Sequence, residues 1–481
     1  MTNLFGELFA PERADRACIH STSESLMYGQ LGDRARRLGQ VVLDLGLEPG
    51  DRLVAQTHKS VDGYALWLGC LAAGVVYVPT NTAYTPDEIG FFCGNADASL
   101  LVVDDPTTVE AVSVPTTSLA DITAAAAAAS PCEVADVSDD TICSLVYTSG
   151  TTGRPKGATL THGCVADNGR ALAEVWQYEA DDVLVHALPI FHVHGLFISL
   201  HPTLLSGASV RWLDKFDVDA VLGQLNGATV FMGVPTYYHR LLGDDRFAPE
   251  RCATMRLFTS GSAPMTELTH AEFTARTGRQ IVERYGMSEA GIITSNRLSG
   301  PHGVVAGSVG HALPGYELRV CDNDRQPVDV GVTGTVEIRG PSLCAGYWQR
   351  PDADAESRTA DGWFSTGDVG SVDDTGRLTL EGRSSDMIIS GGLNIYPKEI
   401  EMALDALDGV VESAVIGLPD DDFGEAVTAY VVLEAGIEIE TLRFDEALAP
   451  LARFKHPKSF HLLEELPRNA MGKVQKVTLR Q

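Results

Sequence analysis

Apolar positions along the chain change period repeatedly. From Leu31 to Leu47 they recur at helical spacing, with Gly46 and Gly50 near the end, and a strand is predicted at Arg52–Gln56. The stretch Gly63 to Pro79 carries no charge, and predicts a helix ending near Gly74 followed by the strand Val75–Val78. Leu100–Val103 is a short continuous apolar run of the kind that forms a buried strand. Val183 to Val210 also lacks Asp, Glu, Lys and Arg, but it holds His186, His192, His194 and His201 with two prolines and two glycines. That content predicts a buried strand–loop–helix rather than a membrane span. Alternation of helix and strand signals implies α/β layers with parallel sheet. The alanine run Ala124–Ala129, between Pro115 and Pro131, predicts a surface helix or linker.

Farther on the pattern turns strand-rich, at Gly334–Arg339, Trp363–Thr366 and Arg377–Glu381. The tail then alternates: Ile388–Ile389, a helix at Pro397–Leu407, strands at Glu412–Ile416 and Ala426–Leu433, and a helix near Asp445–Leu451. Five of the eight lysines fall within residues 386–481. This predicts a large α/β domain over residues 1–385 and a small α+β domain over 386–481.

Composition narrows the function classes. With 481 residues the chain is long enough for roughly three domains or large subdomains, and 44% hydrophobic and 21% charged residues are ordinary for a globular protein. The 36 basic residues against 65 acidic give a net charge of −29. Such a surface repels phosphate backbones and anionic lipid, so nucleic-acid or membrane binding is not expected as the main activity. Nine scattered cysteines with no C-x-x-C pair fit reduced thiols in a cytoplasm. Met1 to His20 carries Glu7, Glu12 and Asp15 with no apolar core, so no signal peptide is expected.

The sharpest chemical signal is Tyr147-Thr148-Ser149-Gly150-Thr151-Thr152-Gly153-Arg154-Pro155-Lys156-Gly157, directly after the apolar run Ile142–Val146. Glycines let backbone N–H groups approach an anion, hydroxyls add donors, and Lys156 adds a mobile charge. The spacing is not that of the Walker loop, which disfavours an ordinary P-loop NTPase. His192-Val193-His194 reads either as a metal pair or, preferably, as buried histidines bonded to backbone.

Leu145–Gly157 resembles the signature loop of the adenylate-forming superfamily: acyl- and aryl-CoA synthetases, peptide-synthetase adenylation domains and firefly luciferases. The superfamily's other motifs recur in order over essentially the whole chain. Pro189-Ile190-Phe191-His192 resembles the aromatic–histidine gate of the acyl pocket, and Ser260-Gly261-Ser262-Ala263-Pro264 the turn against adenine. Tyr285-Gly286-Met287-Ser288-Glu289 resembles Y-G-x-T-E, with serine replacing the usual threonine. Ser365-Thr366-Gly367-Asp368 resembles the ribose motif, and Gly382-Arg383-Ser384-Ser385-Asp386 the hinge motif, without its usual lysine. Ser390 to Pro397 resembles the glycine turn of CoA ligases, and Pro467 to Lys473 the catalytic-lysine motif.

The resemblance implies a large domain of layered α/β subdomains with a small β-barrel-like part, and a small mobile α+β domain pivoting at Asp386. It implies catalytic roles for Lys473, Glu289, Thr148 and Lys156, with Glu289 and Thr148 holding Mg²⁺. ATP would be bound by Thr148, Ser149, Gly150, Thr151, Thr152, Gly153, Lys156, Gly261, Ser262, Ala263, Tyr285, Gly286, Met287, Ser288, Asp368, Arg383 and Lys473. Gly391 and Gly392 would pass CoA, the cosubstrate. His192, Arg240, Arg284 and Ser260 would line the acid pocket. From the residues alone, Arg240 and Arg284 are either a clamp for a far carboxylate or ordinary salt-bridge residues. Their segments resemble malonyl-CoA synthetases, which favours the clamp. Ala290-Gly291-Ile292-Ile293 replaces the polar run usual there, which makes the lining less polar and opens it to methylmalonate. The expected activity is therefore ATP-dependent ligation of malonate to CoA through an acyl-adenylate, releasing AMP and pyrophosphate. The alternatives are a CoA ligase for another small acid and an adenylation enzyme that loads a carrier protein.

Overall fold

The computed structural model describes residues 3–149, 155–262, 265, 267–300, 303–322, 324–383, 388–395, 397–434, 436–467, 474 and 476–480. The expected α/β layering is present as two large, mostly parallel sheets. One has nine strands, in the order His311–Ala312, Gly291–Ser295, Ile281–Met287, Leu257–Ser260, Val230–Gly233, Val183–His186, Ser209–Trp212, Ala17–His20, Ser25–Met27. Its six central strands run parallel and its flanking pairs antiparallel. The other has six strands: Thr116–Ser118, Leu100–Val103, Arg52–Gln56, Val76–Pro79, Ile142–Ser149 and Pro155–Thr161. Only its last pair is antiparallel, and this hairpin carries the phosphate loop at its tip.

The uncharged segment before Pro79 behaves as its pattern requires. The helix Val61–Ala73 is buried at every position except Asp62, is N-capped by Ser60, and ends at Gly74 with φ of 74°. A helix apolar all round has to be interior. It lies against Tyr28–Asp44 so closely that a Cβ on Gly69 would sit 2.6 Å from the Ala35 carbonyl oxygen. Val183 to Val210 becomes the strand Val183–His186, a π-helical turn at His194–Ser199 and the helix Leu200–Leu205. The alanine run belongs to the helix Leu119–Ala126, which buries Leu119, Ile122 and Ala126 and so is no free linker.

The strand-rich region is a four-stranded antiparallel meander, Glu317–Cys321, Gly334–Arg339, Phe364–Val372 and Leu378–Arg383. A bridge from Leu378 to Gly310 ties it to the nine-stranded part. The tail folds on a separate five-stranded sheet, with Val410–Asp420, Gly424–Leu433 and Ser459–Leu463 as its longer strands. Its own core includes Ile388, Ile400, Leu404, Val415 and Val431. The expected boundary at 385/386 lies outside the described residues. No described helix is long and apolar enough to cross a membrane, and all nine cysteines are free and buried.

Candidate active site

Parallel strands of the nine-stranded sheet end near His186, Gly233 and Ser260, level with Glu283, beyond which the strand Ile281–Met287 continues for four residues. The carboxyl edge of such a sheet is the usual place for a ligand crevice, and most candidate residues gather around it.

The phosphate hairpin sets Thr148 opposite Lys156. Thr148 Oγ1 donates to Glu289 Oε1 at 3.0 Å, and the Tyr347 hydroxyl donates to the same oxygen at 3.0 Å. Glu289 is 5% exposed, so both donors stabilise a carboxylate that has little water around it. Lys156 Nζ lies 5.3 Å from the centre of the Tyr347 ring. Burial, and then the Glu289 charge, push the Tyr347 phenol well above its ordinary range, so it stays a donor. Tyr347 is held because its segment runs beside the hairpin, with Trp348 N–H donating to the Gly157 carbonyl at 2.7 Å. Sequence reasoning missed Tyr347. The only signal was an aromatic pair, Tyr347-Trp348, next to a glycine.

A second cluster joins Tyr285 and Asp368. The Tyr285 hydroxyl donates to Asp368 Oδ2, and both residues are buried. Antiparallel register sets Asp368 opposite Arg383; nothing is described of the Arg383 side chain. Gly286 follows Tyr285 in the strand, paired with Ile292, and a Cβ on it would lie 2.1 Å from the Gly291 carbonyl oxygen. Met287 and Ser288 are partly exposed beyond it.

The third cluster surrounds Arg284. Its side chain is buried, and Gly261 packs so tightly on it that a Cβ there would sit 2.2 Å from Nη1. Arg284 Nη2 donates to His194 Nε2. Guanidinium only donates, so His194 is neutral with its proton on Nδ1, which faces Ser262 Oγ at 3.4 Å. Burial first, then Arg284, His192 and His186, push the His194 pKa well below the histidine range. Burial also lowers Arg284, to about 10, with Tyr238 opposing the shift. Among the described residues no carboxylate pairs with Arg284; Arg284 Nε and Ser260 Oγ are buried without partners. Ser262 takes a left-handed conformation, φ 70°.

One expectation for this pocket is corrected. Arg240 is not brought to Arg284. The helix Pro235–Leu242 buries Tyr238, Leu241 and Leu242, which turns Arg240 outward into an open surface cleft with Phe216, Asp217, Asp219, Asp244 and Arg246. His192 is partly exposed beside Phe191 and acts on His194, the histidine that bonds Arg284. Ala290, Ile292 and Ile293 are buried in the main hydrophobic core.

Gly391 and Gly392 have φ of 59° and 78°. A Cβ on Gly392 would lie 3.5 Å from Val234 Cγ2, so this tail-domain turn abuts the residue that opens the helix Pro235–Leu242. Gly150, Thr151, Thr152, Gly153, Ala263, Asp386 and Lys473 lie outside the described residues, as does the side chain of Ser149.

Known proteins share this layout. A malonate–CoA ligase of Arabidopsis thaliana is 32% identical over 98% of this chain and 87% of its own length. MatB from Rhodopseudomonas palustris, in its ATP-bound crystal structure, is 43% identical, with a TM-score of 0.78 over 100% of this chain and 98% of that one. A malonyl-CoA ligase complex with methylmalonyl-CoA and AMP is 34% identical, with a TM-score of 0.83 over 97% of this chain and 100% of that one. The AMP-binding enzyme C-terminal domain matches residues 399–473. The AMP-binding enzyme family itself matches residues 7–348, and the chain belongs to that family.

Proposed function

We propose that the protein joins malonate, and also methylmalonate, to CoA at the expense of ATP. The observation that carries this reading is Arg284, a buried guanidinium held by a neutral histidine with no described carboxylate beside it. Burying such a charge is costly unless a counter-charge arrives. The far carboxylate of a short dicarboxylic acid supplies one, with Ser260 Oγ as a further donor. A neutral His194 matters here, because it orients Arg284 without consuming its charge. Acceptance of methylmalonate is in keeping with the related malonyl-CoA ligase solved with methylmalonyl-CoA and AMP.

In the first half-reaction the near carboxylate oxygen attacks the α-phosphorus of ATP. The bond to the β-phosphate oxygen breaks, and pyrophosphate leaves. In the second, the CoA sulfur attacks the acyl carbonyl, the thiol proton is lost, and AMP departs with the bonding pair. Lys156 and the loop Thr148–Gly153 hold phosphates, Tyr285 and Asp368 with Arg383 hold adenosine, and Lys473 bridges acid and α-phosphate. Glu289 and Thr148 offer hard oxygen donors that already share a hydrogen bond, a set suited to Mg²⁺. The ion would neutralise charge on the phosphates. Residues 386–481 turn about Asp386 relative to 1–385 between the steps, and Gly391–Gly392 admit the pantetheine arm. Nine reduced cysteines are in keeping with a cytoplasmic location.

The test is AMP release dependent on both ATP·Mg²⁺ and CoA, across malonate, methylmalonate, succinate, acetate and butyrate. The two malonates are expected to be preferred. Arg284→Ala is expected to lower kcat/KM for them at least a hundredfold while sparing the monocarboxylates. Arg240→Ala is expected to change neither by more than about twofold. Preference for acetate or butyrate would overturn the role of Arg284.

A further inference from the structure

One ion pair crosses between the two parts of the chain at a buried point. Lys455 Nζ lies 2.7 Å from Glu88 Oε1 and 3.0 Å from Glu399 Oε1, with Lys455 and Glu88 both under 10% exposed. Glu88 belongs to the helix Pro86–Ala96 of the large α/β part, and Glu399 to the tail helix Pro397–Asp405. The acceptor is unusually well fixed. Glu88 Oε2 closes a capping box, accepting the Thr85 N–H at 2.9 Å. That leaves Oε1 for the lysine. The single Thr85 hydroxyl proton is shared between Glu88 Oε2, 3.2 Å away, and the Pro450 carbonyl of the tail, and Lys455 Nζ stands 4.7 Å over the Tyr84 ring. Burial works against the ammonium, but Tyr84, Glu399 and Glu88 outweigh it. A lone helix cap is thus turned into a socket for one tail lysine.

The socket is made in the arrangement that also sets Gly392 against Val234, which follows Gly233, the strand partner of Ser260. On the ligase reading this glycine turn admits the CoA thiol.

We propose that Lys455 is a positioning residue for the thioester-forming half-reaction, acting as an electrostatic latch on Glu88 that holds the tail with its glycine turn against Val234. It touches no substrate. In a rotated tail Lys455 leaves Glu88 and keeps Glu399, which travels with it, so its charge is never stranded. This asymmetry lets the latch open at modest cost, and an interface this polar suits repeated making and breaking.

The inference rests on the two-step ligase reading, so the experiment separates the steps in full-length enzyme. Acid-dependent ATP–pyrophosphate exchange reads adenylation. Thioester formation from isolated acyl-adenylate and CoA reads the second step. The acid used is whichever the wild type adenylates best, so a wrong assignment of malonate leaves this test intact. Lys455→Met and Glu88→Gln are each expected to keep exchange within about threefold and slow the thioester step tenfold or more. Lys455→Arg is expected to recover part of the loss, and the double variant Lys455→Met/Glu88→Gln to be no worse than the slower single one. An unchanged thioester rate, an equal fall in both steps, or multiplying losses in the double variant would each overturn the latch.

Discussion

At the scale of single residues, the site works by sharing acceptors. Glu289 takes one hydrogen bond from Thr148 and one from Tyr347 on the same oxygen. Removing one donor keeps the carboxylate but loosens its direction. A hydrogen bond to a charged group contributes roughly 1.5–3 kcal/mol. Tyr347→Phe is therefore expected to slow adenylation about tenfold or more, read by pyrophosphate exchange. Thioester formation from preformed adenylate should stay unchanged, because no phosphoryl transfer occurs in that step. Loss of both steps together would instead mean that Tyr347 supports the hairpin as a whole. The phenol itself adds no pH dependence in the working range, since burial and Glu289 hold it protonated.

At the scale of elements, one turn couples two subsites. The strands Ile281–Met287 and Gly291–Ser295 pair with a register shift between Tyr285 and Gly286. Arg284 and Tyr285 lie on one side of the turn and Glu289 within it, so the residues proposed for acid, adenine and phosphate share one backbone path. Gly286→Ala would place a methyl 2.1 Å from the Gly291 carbonyl oxygen and 2.8 Å from the Ile292 Cα. Such crowding costs roughly 1–3 kcal/mol. A urea midpoint lowered by that amount is expected, with adenylation falling at least a hundredfold; full activity would show that the strands can part freely. The same scale explains what the sequence made legible. Runs such as Leu100–Val103 and glycine-rich motifs carry their meaning in short windows, and both were readable. Arg240 was misplaced, although Tyr238, Leu241 and Leu242 form an apolar stripe that turns position 240 outward on any helix. The bond of His194 to Arg284 spans ninety residues. Tyr347 and Lys455 also meet their acceptors across long separations, 58 and 367 residues, for which no local pattern exists.

At the scale of the whole molecule, two electrostatic effects oppose each other on acidification. The net charge of −29 repels itself, and protonating carboxylates relieves that repulsion. The buried histidines work the other way. Burial lowers His162 to about 4 and His201 to about 3, and His186 and His194 lie well below the ordinary value of 6.5. Between 6.5 and those values the unfolded chain binds protons that the fold excludes. Their stabilisation is complete above pH 6.5 and is lost as pH falls through that window, by about 1.4 kcal/mol per pH unit for each histidine. Surface repulsion is screened within about 8 Å at physiological salt, whereas the histidine penalty is not. The histidines should therefore win, and the urea midpoint in 0.15 M salt should fall from pH 7.5 to 5. His201 isolates the cause, because both ring nitrogens lack partners and the ring sits between Trp67 and Phe197. His201→Leu should match or exceed the wild-type midpoint at pH 7.5, since an unsatisfied polar group is removed, and should show a shallower fall toward pH 5. A midpoint that rises on acidification would mean that surface repulsion dominates. Parallel curves for the two proteins would mean that His201 is protonated in the fold.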